Sequence, residues 1–193
     1  MEMGSSLLGE SRPVTVFLLP VIGDLEEGGA SSAFEFVDCG TCGSSYRRQV
    51  ADLQLYAPEP PPPAVTTTIQ GDLVLLSGIG QELKTLGAEV ELRAASVEND
   101  SREWLQVVPE VGVEPRVDSL REAWTPCHEC GGVARVSYGD VALRGVERDL
   151  PLVGFVRGAP LMVTLKGIVL ELFQRHSPTF YADEMDVTTA GEV

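Results

Sequence analysis

Two short stretches hold every cysteine of the chain: CGTCG at residues 39–43 and CHECG at residues 127–131. A Cys-x-x-Cys turn sets two sulfurs on one side of a tight loop, and the glycine after it can take the positive φ such a loop needs. Two such turns brought together supply four sulfurs, the tetrahedral donor set of structural Zn²⁺. Zinc ribbons space their turns roughly 15 to 20 residues apart, whereas here Cys42 and Cys127 are 85 residues apart. A metal bound by both turns therefore closes a long loop and staples two distant parts of a fold.

Three chemistries are open to these cysteines: a structural zinc site on Cys39, Cys42, Cys127 and Cys130, a redox pair in each turn, or turns that hold no metal. Redox thiols are usually acidified by a helix N-terminus, and no helical pattern follows either turn. His128 lies between the second pair and reads as an exposed loop histidine. Glu129 is adjacent, but four thiolates would close the coordination sphere, whereas catalytic zinc keeps a position open. The expectation is one structural Zn²⁺ and no enzymatic activity.

The spacing recurs beyond the cysteines. Cys39 and Cys42 precede Cys127 and Cys130 by 88 residues, and ADLQL at 51–55 precedes GDVAL at 139–143 by the same 88. LVLLSGIGQELK from Leu73 resembles LMVTLKGIVLELF from Leu161, with Gly78 set 89 residues before Gly167, and Pro20 and Gly23 stand 89 before Pro109 and Gly112. Agreement in spacing argues an internal duplication, with repeats over about 14–97 and 103–187.

Each repeat reads as strand, Cys-x-x-Cys-Gly turn, strand, linker, strand, helix, strand. The first strands are Val14–Leu19 and Trp104–Val108, and the second are Ser45–Leu55 and Val133–Leu143. The later ones are Asp72–Leu76 and Pro160–Leu165, the helices Ile79–Leu86 and Ile168–Arg175, and the last strands Val90–Ala94 and Thr179–Ala182. Gly87 and Pro178 stop the helices, and Ser77 reads as an N-cap. In the helices the apolar positions are Ile79, Leu83 and Leu86, then Ile168 and Leu172 with Leu170 and Phe173. APEPPPP at 57–63 reads as an extended polyproline linker, and Asn99, Asp100 and Ser101 as a hairpin turn. The expected fold class is α+β over a single domain, 1–193: two βαβ-like lobes joined by a four-cysteine zinc-knuckle site, with flexible termini at 1–12 and 188–193.

Hydrophobic residues make up 44% of the chain, enough for a packed core. The 29 acidic residues against 14 basic ones leave a formal net charge of -15. That field repels nucleic acid and anionic membrane and favours basic partners. The N-terminal MEMGSSLLGESRP lacks the basic and apolar regions of a signal peptide, and Val14–Ile22 is too short to span a bilayer and contains Pro20. The expectation is a cytoplasmic protein bound to neither membrane nor nucleic acid.

Other motifs are weak. Gly78-Ile79-Gly80 lacks the third glycine of a dinucleotide turn and the Lys-Ser/Thr of a phosphate loop. His128 and His176 belong to no recognisable triad, and His176 suits the C-terminal end of a helix. Trp104 and Trp124 read as core and knuckle-packing residues.

The two distant CXXCG turns, with DLVLLSGIGQELKTLGAEVELRAA at 72–95 and WLQVVPEV at Trp104–Val111, resemble the double-CXXCG motif family, paralogous proteins of myxobacteria. The resemblance spans about residues 34–185 and carries over the four cysteines; the segment before it departs from the family's His/Trp-rich approach to the first turn. Some family members act as immunity proteins for polymorphic toxins, so the resemblance implies a non-enzymatic protein that binds a cognate protein toxin. A basic toxin, such as a nuclease, would dock on carboxylates drawn from Glu26, Glu27, Glu98, Asp100, Glu103, Glu147 and Asp149. The alternative is a zinc-stapled structural or regulatory adaptor for an unrelated partner.

Overall fold

The structure, a computed structural model, describes residues 16–18, 25–27, 33–43, 45–57, 61–115, 127–129, 143–145, 149–157, 159–185 and 187–188. Over these residues the chain is α+β, mostly sheet with two helices. A six-stranded sheet has the order β2 (Glu26–Glu27), β5 (Leu53–Tyr56), β8 (Val90–Val97), β9 (Asp100–Pro109), β7 (Leu73–Leu76), β6 (Val65–Thr67). A five-stranded sheet has the order β10 (Gly112–Val113), β12 (Val153–Val156), β13 (Ala159–Lys166), β1 (Val16–Leu18), β14 (Asp183–Met185). Two small sheets pair β3 (Phe34–Asp38) with β4 (Ser45–Gln49), and β11 (Leu143–Arg144) with β15 (Val187–Thr188).

Each large sheet contains a split βαβ unit. Helix α1 (Ser77–Thr85) connects β7 to β8, and β9 lies between them, antiparallel to both. Helix α2 (Gly167–His176) connects β13 to β14, and β1 lies between those, again antiparallel to both. The inserted strand comes from opposite directions along the chain: β9 follows β8 through a tight hairpin, while β1 arrives from the far N-terminal side.

The strand pairings recur at fixed offsets. Leu25 bridges Thr68 in parallel, and Val113 pairs in parallel with Val156, both partners 88 residues on. Glu27 pairs with Leu55, and Pro115 with Leu143. Val65 pairs with Leu75, and Val153 with Leu165. Leu105 pairs with Leu75, and Phe17 with Leu165. Trp104 pairs with Ala95, and Val16 with Met185. Leu55 pairs with Val97, and Leu143 with Val187. In these pairings the β7 and β8 positions recur 90 residues on, and the other positions 88 residues away.

The buried residues are Ile79, Gly80 and Leu83 on α1 and Val169, Leu170, Leu172 and Phe173 on α2. Ile168, expected on the buried face, is 52% exposed. The expected strand Ser45–Leu55 is two strands: β4 joins the small hairpin, and β5 enters the large sheet after a break at 50–52. The last strand begins at Asp183 because 177–180 forms a turn, with Phe180 N–H donating to Ser177 O at 2.8 Å. Gly87 ends α1 as expected, at φ +88°. Ser77 is the first residue of α1, not its cap; Leu76 holds the cap position without a side-chain hydrogen bond. The expected strand Val133–Leu143 lies outside the described residues except for Leu143, as do residues 1–12, 189–193 and Trp124.

One apolar core spans both sheets. β7 is a continuous apolar run buried on both faces, which a helix on one side and a hairpin on the other require. Leu73 and Leu75 join Val65, Ile79, Leu83, Val90 and Val107 in one cluster with Val153, Val163, Leu165, Val169, Leu172 and Phe173. Val74 points to the other face, against Leu25, Leu53, Leu55, Val97 and Trp104. Polar bonds cross between the halves as well. Val65 N–H donates to the Ser177 hydroxyl at 2.8 Å, and His176 Nε2 lies 3.0 Å from Glu82. The halves are therefore joined by a shared core in addition to any metal.

The β8–β9 hairpin turns at Glu98 and Asn99, the latter at φ +61°, and Val97 pairs with Asp100. Asp100 thus begins a strand, and its carboxylate accepts bonds from the Arg102 guanidinium at 2.6 Å, from Arg102 N–H at 2.9 Å and from Trp104 Nε1 at 3.2 Å. These bonds, the guanidinium's foremost, hold its carboxyl down from 3.8 to about 2. A depressed carboxyl stabilises the fold above its ordinary titration range and loses that contribution as the pH falls toward the folded value. Asp100→Asn should therefore unfold at lower urea than the parent at about pH 7, with the gap closing between about pH 4 and 2. A gap that stays constant over that range would show that the carboxylate's charge is not what stabilises the hairpin.

Candidate metal centre

The β3–β4 hairpin carries the first cysteine turn at its tip. Asp38 pairs with Ser45, and Cys39 to Gly43 lie in the turn between them. Gly43 N–H donates to Cys39 O at 2.9 Å, and Gly43 takes φ +69°, the conformation that the glycine after the second cysteine was expected to supply.

The base of the hairpin is pinned to the six-stranded sheet by buried polar groups. The Arg47 guanidinium makes bonds of 2.8 and 2.9 Å to the two oxygens of Asp72, and it stacks 3.6 Å over the Phe34 ring. Asp72 also accepts from the Thr68 hydroxyl at 3.0 Å and from Gln106 Nε2 at 3.1 Å. Gln49 Nε2 donates to Gln106 Oε1 at 2.8 Å, and Arg93 donates to Gln49 Oε1 at 2.8 Å. The Asp72 side chain is only 8% exposed, so its charge depends on these donors for the solvation it has lost. Sequence reading missed this network. Its one signal was the alternation of Arg47 and Gln49 on a strand, which does not reveal a partner 25 or 57 residues away.

At the tip, the Sγ atoms of Cys39, Cys42 and Cys127 lie within 4.8 Å of one another. Cys39 is buried, Cys127 half-buried and Cys42 exposed. The Sγ atoms of Cys39 and Cys127 are 3.7 Å apart. A disulfide would bring them to about 2.05 Å. Tetrahedral coordination at a Zn–S length of ~2.3 Å puts sulfurs about 3.8 Å apart. Donor type and spacing both fit a thiolate-bound metal. The turn's neighbours meet too: the Thr41 hydroxyl donates to Glu129, whose Oε2 lies 3.8 Å from Cys39 Sγ. Cys39 with Cys127 and Thr41 with Glu129 both join positions 88 residues apart.

Cys130, the fourth expected donor, lies outside the described residues. His128 is exposed, as expected of a loop histidine. Strand β4, not a helix, follows the first turn.

The candidate docking carboxylates fare differently. Asp100 is committed to Arg102 and Trp104. Glu103 is exposed and accepts from the Ser77 hydroxyl at 3.0 Å, at the rim of an open cleft of about 490 Å³ beside the start of α1. Glu98 and Asp149 are exposed. Glu147 and the side chains of Glu26 and Glu27 lie outside what the structure describes. Among the described residues no helix is long and apolar enough to cross a membrane. Trp104, expected in the core, is 2% exposed in the cluster beneath the hairpin.

No protein-family model matches this chain, and no curated protein matches its sequence.

If Cys39 is a donor, zinc held at 100-fold its dissociation constant adds about 2.7 kcal/mol to stability. Cys39→Ser should then melt well below the parent in zinc. With zinc stripped by a chelator, both proteins should melt together and keep their secondary structure, because the shared core needs no metal. Parent and variant melting alike in zinc would exclude Cys39 from the donor set.

Proposed function

We propose that this chain is a non-enzymatic binding protein, stapled by one structural Zn²⁺ on Cys39, Cys42, Cys127 and Cys130. In this reading it is an immunity protein that neutralises a cognate, basic protein toxin, such as a nuclease, by direct contact through its acidic surface. The metal part is supported by three sulfurs from two distant turns that converge at the spacing of a thiolate-bound metal. The binding part is supported by the net charge of -15 and by the double-CXXCG resemblance. A field of that sign draws a basic partner in and speeds its encounter. The exposed carboxylates Glu98, Glu103 and Asp149 are candidates for the docking face.

In the same reading the two halves are copies of one unit that have exchanged their first strands. Six strand bridges that repeat at offsets of 88 and 90 support this, as does the meeting of Cys39 with Cys127 and of Thr41 with Glu129. A metal shared by equivalent turns would sit on the axis relating the copies. Residues 1–98 made alone should then form a dimer, each copy lending its first strand to the other, with one zinc between them. A folded monomer of residues 1–98 by native mass spectrometry would contradict the exchange.

The immunity reading is tested by recovering the protein from its own cells under native conditions and identifying any stoichiometric partner by mass. The expected partner is a basic protein whose expression kills cells unless this chain is co-expressed, and whose binding weakens steeply between about 0.1 and 1 M salt as charges are screened. Binding that is indifferent to salt would remove the electrostatic part. A partner with no toxicity would replace immunity with an adaptor role.

A further inference from the structure

Resting on the metal reading above, we infer that Arg47 and Asp72 are positioning residues of the metal centre. By fixing the β3–β4 hairpin to the six-stranded sheet, they hold Cys39 and Cys42 where Cys127 can share a metal with them.

A two-stranded hairpin is at best marginally stable by itself and takes its orientation from what it packs on. This one runs over five residue pairs, from Phe34 with Gln49 to Asp38 with Ser45, and Cys39 follows directly. Arg47 pairs with Phe36, two residues closer to the tip than Gln49, so its anchor lies on the strand that leads out of the cysteine turn. One guanidinium nitrogen, Nη2, donates to both oxygens of Asp72 while the guanidinium carbon lies over the Phe34 ring, which sets direction as well as distance. Phe34 stacks beneath that guanidinium, and Gln49 ties the strand's end to Gln106 and Arg93. Asp72 itself is held by Thr68, whose hydroxyl also accepts from Asp72 N–H at 2.9 Å, and by Gln106 in the centre of the sheet. The first cysteine pair is thus referenced to the rigid core before any metal arrives. The Thr41–Glu129 bond adds a second link, at the tip, to the turn that carries Cys127.

Outer groups that orient metal ligands typically account for 10- to 100-fold in affinity. The test uses the full chain and the metal alone. Zn²⁺ affinity is measured by competition with a chromophoric chelator, and the donor set is read from the charge-transfer and ligand-field bands of the Co²⁺ form. The variants are Asp72→Asn, Arg47→Lys and, as a control for general loss of stability, Val169→Ala. Val169 is fully buried on α2, in the other half of the chain. Asp72→Asn and Arg47→Lys should each weaken Zn²⁺ binding by about 10- to 100-fold while the Co²⁺ bands keep their positions, because the ligands are unchanged. Val169→Ala should lower the melting temperature and leave affinity as in the parent. Arg47→Lys keeps the charge and loses the planar guanidinium and its stacking on Phe34, so it tests the geometry even if Asp72→Asn folds poorly. Parent-like affinity in both network variants would overturn the positioning role and leave the metal site standing. An equal loss in Val169→Ala would also overturn it, since the effect would then be global. A parent protein that takes up no metal would overturn the metal reading itself.

Discussion

The apolar layer between the two sheets is the constraint on which the rest of this structure depends. Neither α1 nor α2, at nine and ten residues, is long enough to be stable alone. Each becomes a helix because one face is buried, Ile79 and Leu83 on one, Val169, Leu172 and Phe173 on the other, and those faces share a single cluster with both sheets. Phe180, which follows α2, packs edge-on to Phe173 with ring centroids 5.4 Å apart and extends the layer. Hydrophobic burial is non-directional and scales with area. Two sheets that would each bury little surface alone gain by facing one another.

The outer face of the six-stranded sheet obeys a different rule. There the hairpin is held by charge and hydrogen bonding together with Phe34, which packs against the second apolar cluster. A buried carboxylate such as Asp72 is tolerated when paired and fully hydrogen-bonded, and removing its partner leaves an uncompensated charge worth about 3–5 kcal/mol. Such a network adds little net stability compared with an apolar contact, but it accepts few geometries. Apolar packing decides that the protein folds, and the Arg47–Asp72 network decides where the cysteine turn is held. These are separate requirements, met on opposite faces of one strand, β7, whose Leu73 and Leu75 point into the core while Val74 points toward the hairpin side.

The cysteine cluster then closes what packing leaves open. Cys39 and Cys42 at the end of a hairpin meet Cys127 from a distant turn. A metal held by these thiols would convert its binding free energy into folding free energy. Thr41 meets Glu129 beside Cys39 and Cys127, and both contacts join positions 88 residues apart. Acidic side chains over the rest of the surface leave this protein strongly negative, and that property belongs to association with partners, not to the fold.

What the sequence determined by itself is everything set over a few residues. The cysteine turn with its positive-φ glycine, the end of α1 at Gly87, the hairpin turn near Asn99 and the buried run of β7 were all legible, because sterics and short-range periodicity act along the chain. So was the 88-residue spacing, which needs only counting. The tertiary structure decided the remainder. That β1 crosses to lie between β13 and β14 and that Arg47 reaches Asp72 are facts of long-range pairing. A strand pattern says that a residue faces inward but not what it will meet. Ser77 shows the limit: its type and place suited a cap, yet its hydroxyl went to Glu103 on β9, a neighbour that only the folded sheet supplies.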